Sequence, residues 1–263
     1  MAKQQFNTKA KPQRWRPEMT DRFLDEVEAG HVPYVARMLS KYPKLVHATR
    51  IEEHGDEYIQ KSALHIAAAH DRGKIVTLLL EAGARVNDAD ATGETPLMDA
   101  ATNNSDDAMK SLMLGGALHS LRGDKNATAL HRAARNNSLE CAKLLLRAGM
   151  RVNTATSDGR TALHEAVYGA IELEGHADER KMIRLLLERG ANVDTVDGEG
   201  FTPANSARSE GKNDLANFIE DYAEQVFEMN EMEEAAREQK ALNVLRQGSI
   251  KPITARKPLQ YRK

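Results

Sequence analysis

Apolar residues along this chain come in clusters of a few positions, separated by short polar breaks. The pattern is clearest over residues 128–148. An alanine- and leucine-bearing segment over 128–136 meets the polar break Asn136-Asn137-Ser138, and a second segment over 138–148 carries Leu144, Leu145 and Leu146. Two segments of this length predict two short antiparallel helices, with Ser138 as an N-cap candidate for the second. The leucine face is too large for one helix pair to cover, so neighbouring pairs must stack on it. Small residues such as Ala67-Ala68 and Ala133-Ala134 let the first helices approach closely. Near the C-terminus, Leu215, Phe218, Ile219, Tyr222, Val226 and Met229 recur at helical spacing and predict one helix over 215–247. Its middle is acidic (Glu224, Glu228, Glu231, Glu233, Glu234) and its end basic (Arg237, Lys240, Arg246), an order that complements the helix dipole. Gly248 is expected to stop it, and Pro252 and Pro258 to keep the tail extended.

The clusters keep a beat. Ser62-Ala63-Leu64-His65 recurs as Thr95-Pro96-Leu97-Met98, Thr128-Ala129-Leu130-His131 and Thr161-Ala162-Leu163-His164, so the leucines fall 33 residues apart. Gly83, Gly116 and Gly149 keep the same spacing after the second segments, where a residue at C′ needs positive φ. Gly93, Gly159 and Gly200 fall at turn tips, with Asn126 in that place in the unit between. A 33-residue period belongs to one repeat architecture. The stretches SALHIAAAHDRGKIVTLLLEAGARVN (62–87) and TALHRAARNNSLECAKLLLRAGMRVN (128–153) resemble the ankyrin repeat.

The resemblance implies an all-α ankyrin-repeat solenoid of helix-turn-helix units joined by β-hairpin loops, spanning 20–222. Six units are expected, near 20–56, 57–89, 90–122, 123–155, 156–196 and 197–222. They lie between a basic tail (1–19) and a helical extension (223–247) followed by a second basic tail (248–263). Thr202-Pro203-Ala204-Asn205 is a fifth anchor displaced by 41, which places 8 extra residues after Tyr168 and before Leu185. A similar surplus between Leu45 and Lys61 falls in a hairpin, while the later one is expected to lengthen a turn between helices. Asn205, Ser206 and Ser209 give the last unit the polar face that a terminal repeat needs.

Composition changes the picture little, and charge changes it more. Length alone would favour two globular domains. The beat replaces them with one elongated repeat domain. Only 5% of residues are aromatic, which suits units that merely cover their neighbours. One cysteine excludes an intramolecular disulfide framework and a Cys-rich zinc module. There is no apolar run of membrane-spanning length and no signal-peptide core at the N-terminus, so a cytoplasmic protein is expected. The net charge of −2 hides a split: residues 1–17 and 248–263 each carry five basic residues and no acid, which leaves −12 between them.

Candidate catalytic chemistry is thin. The repeated His65, His131 and His164 match the scaffold's period, and the resemblance implies that they bond a neighbouring backbone and a Thr hydroxyl. His164-Glu165 begins like a zinc-protease motif, but the fourth position on is Tyr168. Cys141 sits among leucines with no sign of an activating base. No catalytic group, cofactor or metal is expected. What the resemblance implies is protein binding through hairpin tips and the first helices of the concave face. The tip positions are Tyr58, Lys61, Thr92, Glu94, Asp124, Lys125, Asp158, Arg160, Glu199 and Phe201. The groove positions are Asp99, Thr102, Asn103, Arg132, Arg135, Asn136 and Tyr168. A partner presenting a basic patch to the acidic body is expected. Three other readings stand beside this one. They are a secreted bacterial effector or its cognate immunity protein, a nucleic-acid adaptor using Arg14-Trp15-Arg16 and Tyr261-Arg262-Lys263, and a subunit of a larger assembly joined through the C-terminal helix.

Overall fold

The computed structural model describes residues 17–54, 57–172 and 179–247, without the side chains of 52–54, 57–58, 179 and 244–247. The basic tails expected over 1–19 and 248–263 lie outside these residues apart from 17–19, and Tyr58 falls on a strand with its side chain outside the description. Two compact units divide between Glu220 and Asp221.

The larger unit is built from helix pairs. They are α1 (Pro17–Ala29) with α2 (Val32–Lys41), α3 (Ala63–Ala69) with α4 (Gly73–Glu81), α5 (Pro96–Thr102) with α6 (Asp106–Leu114), and α7 (Ala129–Arg135) with α8 (Leu139–Arg147). They continue as α9 (Ala162–Glu172) with α10 (Glu179–Glu188), then α11 (Pro203–Ser209) with the start of α12 (Asn213–Gln247). First helices pack on first helices, α1 on α3, α3 on α5, α5 on α7, α7 on α9 and α9 on α11. Second helices stack likewise from α2 to α10.

The period in the sequence becomes a row in the core. Leu64, Leu97, Leu130 and Leu163 are all buried, as are Leu79, Leu112, Leu145 and Leu186 of the second helices. Burying each such side chain contributes roughly 1.5–3 kcal/mol, shared between adjacent repeats because no repeat can cover it alone. The glycines after the second helices adopt positive φ, from +80° at Gly190 to +96° at Gly83.

Polar ties cross the repeats at the turns between paired helices. Ser138 precedes α8 without capping it: its hydroxyl donates to the carbonyl of Thr102 in the preceding repeat (3.3 Å), and Ser105 does the same to Ala69 (3.0 Å). Ser138 thus holds the N-cap position expected from sequence, but its side chain makes an inter-repeat bond in place of a capping one. Ser206, expected on a polar terminal face, is instead buried, because α11 turns it toward the stack.

The first surplus segment forms a regular hairpin. β1 (Thr49–His54) and β2 (Glu57–Ser62) pair antiparallel from Thr49↔Ser62 to His54↔Glu57. Arg50 fastens it to α1 through Glu28 (2.6 Å) and Asp25 (2.5 Å). The second surplus does more than lengthen a turn. α9 runs 11 residues where α3, α5, α7 and α11 run 7, so part of the insertion is an extra helical turn, and residues 173–178 lie outside the description. α7 and α9 approach so closely that a Cβ on Gly169 would sit 2.1 Å from the carbonyl oxygen of Arg135.

Candidate protein-binding face

The hairpin residues are set in place by the repeat's own histidines. Thr128 N–H donates to Nδ1 of His131 (3.1 Å), which leaves the ring proton on Nε2, and Nε2 donates to the carbonyl of Arg160 (3.2 Å). His164 repeats this with Thr161 N–H (3.2 Å) and the Phe201 carbonyl (3.1 Å). His65 takes Ser62 Oγ (2.7 Å) and reaches the Glu94 carbonyl (3.1 Å). Burial lowers the pKa of all three, that of His131 to about 4, so the rings are neutral at pH 7. The backbones of Glu94, Arg160 and Phe201, three expected tip residues, are thus held by the repeat before them.

From these fixed points a charge ladder climbs the first helices. Lys61 reaches across to Asp99 (2.9 Å), and Glu94 makes a two-point contact with Arg132 (Oε1 to NH2 2.5 Å, Oε2 to Nε 3.1 Å). Both pairs join residues 38 apart, with the charges exchanged. Lys61 is buried and also contacts Asp90 at 2.7 Å, so one ammonium serves two carboxylates. Burial pushes Asp99 up to about 6 against the pull of Lys61, while hydrogen bonds from Lys61 and Thr92 hold Asp90 below the usual range despite its burial. Lys61, expected among the partner-binding tip positions, is a buried internal tie between repeats.

At the next step the ladder changes. Ala127 occupies the place of Lys61 and Glu94, so Glu165, the successor of Asp99 and Arg132, receives no hairpin partner. Arg135 answers it from α7 at 3.6 Å, and burial raises the pKa of Glu165 against the pull of Arg135. Arg135 also binds Glu172 on the extra turn of α9 (2.5 Å). Two guanidiniums lie over the Tyr168 ring, Arg160 at 4.5 Å and Arg135 at 5.4 Å from its centroid. Such contacts contribute about 0.5–1 kcal/mol each where exposed, more when desolvated.

A three-copy ankyrin-repeat model matches residues 30–122 and 109–173, and a single ankyrin-repeat model matches residues 158–198. The chain belongs to the ankyrin-repeat family. Ankyrin repeats are generally protein–protein interaction modules and generally non-catalytic. No curated protein matches the chain. The matched residues take in every element from α2 to α10, whereas α1, α11 and α12 lie outside them.

Within this ankyrin stack the expected residues fall into distinct settings. Asn103 and Asn136 are exposed at the ends of α5 and α7, where their amides donate to the carbonyls of Asp99 and Arg132 (both 2.9 Å). Asp124, Lys125 and Asp158 are exposed on adjacent tips, and Lys125 faces Asp158 at 3.6 Å. The tips are laced by backbone bonds, Ser157 N–H to the Lys125 carbonyl and Gly198 N–H to the Asp158 carbonyl (both 2.7 Å). Arg160 approaches Asp197 at 3.9 Å and Glu199 at 3.8 Å, longer than hydrogen bonds, and its Nε is buried without a hydrogen-bond partner among the described residues. Phe201, on the next tip, is 37% exposed.

The sequence reading missed Asp90, Glu165, Glu172 and Asp197. Glu165 was signalled by the period itself, 66 residues after Asp99. Asp90 and Asp197 open their turns, where Asp90 accepts from Thr92 and Glu94 N–H groups and Asp197 from those of Glu199 and Phe201. Cys141 is buried, its thiol near the Ala100 carbonyl (3.5 Å), and burial pushes its pKa up to about 12, the opposite of an activated nucleophile.

Proposed function

We propose that this ankyrin stack is a non-catalytic binding module that holds one partner protein on its concave face and hairpin tips, centred on repeats four and five. The carrying observation is the Arg160–Tyr168–Arg135 stack. It gathers an aromatic and two arginines, the residue types that dominate interface hot spots, in a chain with few aromatics. The groups around it are already ordered by His131, by the laced tips and by the Glu94–Arg132 pair, so binding costs little side-chain entropy. In this reading the acidic body attracts a basic surface on the partner, and the stack supplies the central contact. Other charges around it, Asp158 and Glu199, remain exposed for the rim. The role of adaptor, inhibitor or chaperone follows from the partner's identity.

Affinity capture with mass spectrometry tests the reading. Wild type should retain one dominant protein that the Arg135→Ala/Tyr168→Ala variant loses while keeping the wild-type circular dichroism spectrum. Equal retention by both would place the binding face elsewhere.

A further inference from the structure

Comparison of the repeats with one another exposes a departure on the second-helix side, away from the groove residues. At the end of each second helix the equivalent positions read Glu81, Leu114, Arg147 and Glu188. Four residues on they read Arg85, Leu118, Arg151 and Asn192. The third repeat alone among these four places leucines where the others place charged or polar groups. Leu114 is 90% exposed and Leu118 55% exposed. Neither is loosely held: Leu114 ends α6, and the N–H of Leu118 donates to Asn87 Oδ1 (2.8 Å). Arg147 and Arg151 are exposed on the next repeat and have no ion-pair partner among the described residues. Arg85, on the repeat before, reaches Asp88 only at 3.8 Å. The result is a fixed apolar pair bordered by Arg147 and Arg151 on the following repeat and by Arg85 beside Glu81 on the preceding one.

The smaller unit carries the complementary surface. Residues 221–234 of α12 hold six acids (Asp221, Glu224, Glu228, Glu231, Glu233, Glu234) and no base. Met229 and Met232 are 51% and 73% exposed, and their spacing of three puts them on one helical face, with Ala236 four further on. Methionine side chains adapt to an irregular apolar surface.

We propose that the Met229–Met232 face of one copy docks on the Leu114–Leu118 patch of a second copy, with the arm's glutamates against Arg147, Arg151 and Arg85. The occupant is fixed by charge as well as by apolarity: six acids meet three arginines, of which Arg147 and Arg151 have no ion-pair partner among the described residues. Each copy carries both surfaces, so the contact closes a dimer when exchanged reciprocally and extends a chain when it is not.

Sedimentation equilibrium of the full chain over a range of concentrations tests the proposal. Wild type should self-associate, more weakly at high salt because exposed charges are screened. Leu114→Glu/Leu118→Asn installs the residues that Glu81, Glu188 and Asn192 already place at equivalent positions, so it should fold. It should raise the dissociation constant by about tenfold or more, as loss of an interface centre does. Met229→Gln/Met232→Gln should do the same. An equimolar mixture of the two variants should regain association, since it restores one intact patch facing one intact arm. A wild type that stays monomeric at every concentration overturns the proposal, as does either variant associating like wild type, or a mixture no tighter than the variants alone.

Discussion

At the scale of single residues, the ring of His131 links stability to pH. It is neutral in the folded chain because burial moves its pKa from 6.5 to about 4. The unfolded chain therefore binds a proton first as pH falls, and stability is lost between pH 6.5 and about 4, by about 3 kcal/mol for this group. His65 and His164 shift in the same direction. Asp99 works the other way. Its folded pKa, about 6, lies above the ordinary 3.8, so the folded chain takes up the proton first and gains stability as pH falls from about 6 to 3.8. Urea unfolding of wild type and Asp99→Asn across this window should show wild type gaining up to about 3 kcal/mol relative to the variant on acidification. Parallel curves would remove Asp99 from the account. His131→Ala should lower stability at pH 7 by about 2 kcal/mol or more, through the unpaired Arg160 carbonyl and the lost packing, and should flatten the acid limb.

The repeat elements show what a sequence can and cannot disclose. Leu64, Leu97, Leu130 and Leu163 announce their burial because a periodic position has one environment repeated. Periodicity likewise marks His65, His131 and His164 as scaffold residues, while their bonding role is what the resemblance to ankyrin repeats implies. Lys61 does not disclose its fate, because its setting depends on Asp90 and Asp99 in the following repeat, and a lysine reads as surface until those partners are in view. Ser138 has the spacing of a cap, but the Thr102 carbonyl across the repeat competes for its hydroxyl. The later insertion was legible as a count of 8 and not as a helix extension, since Gly169 and Ala170 give no boundary signal. Gly169 has a sharper meaning in three dimensions. Gly169→Ala would force a methyl group onto the Arg135 carbonyl, and thermal unfolding should show a loss of about 1–3 kcal/mol, as for other overpacked contacts. An unchanged melting temperature would mean that α7 and α9 separate at little cost.

For the whole molecule, net charge is the least informative number and its distribution the most. The −12 between the two tails predicts that partner association weakens as salt rises, mainly through a slower on-rate, while dissociation responds to substitutions in the groove. Stopped-flow measurements at two ionic strengths check this, and a salt-independent on-rate would argue against the acidic body as the steering surface. The stack also predicts uneven cooperativity. Leu145→Ala, in the middle of the second-helix row, should destabilise by about 2–5 kcal/mol and loosen the repeats on either side of it, which hydrogen exchange would map.

The central claim is that the guanidinium–tyrosine stack on the groove is the energetic centre of partner binding. Isothermal calorimetry of the captured partner with wild type, Tyr168→Ala and the second-helix control Lys143→Ala tests it most directly. Tyr168→Ala should weaken binding by about tenfold or more, the loss expected of a hot spot, and Lys143→Ala should leave the affinity unchanged. Equal affinities for wild type and Tyr168→Ala would contradict the account.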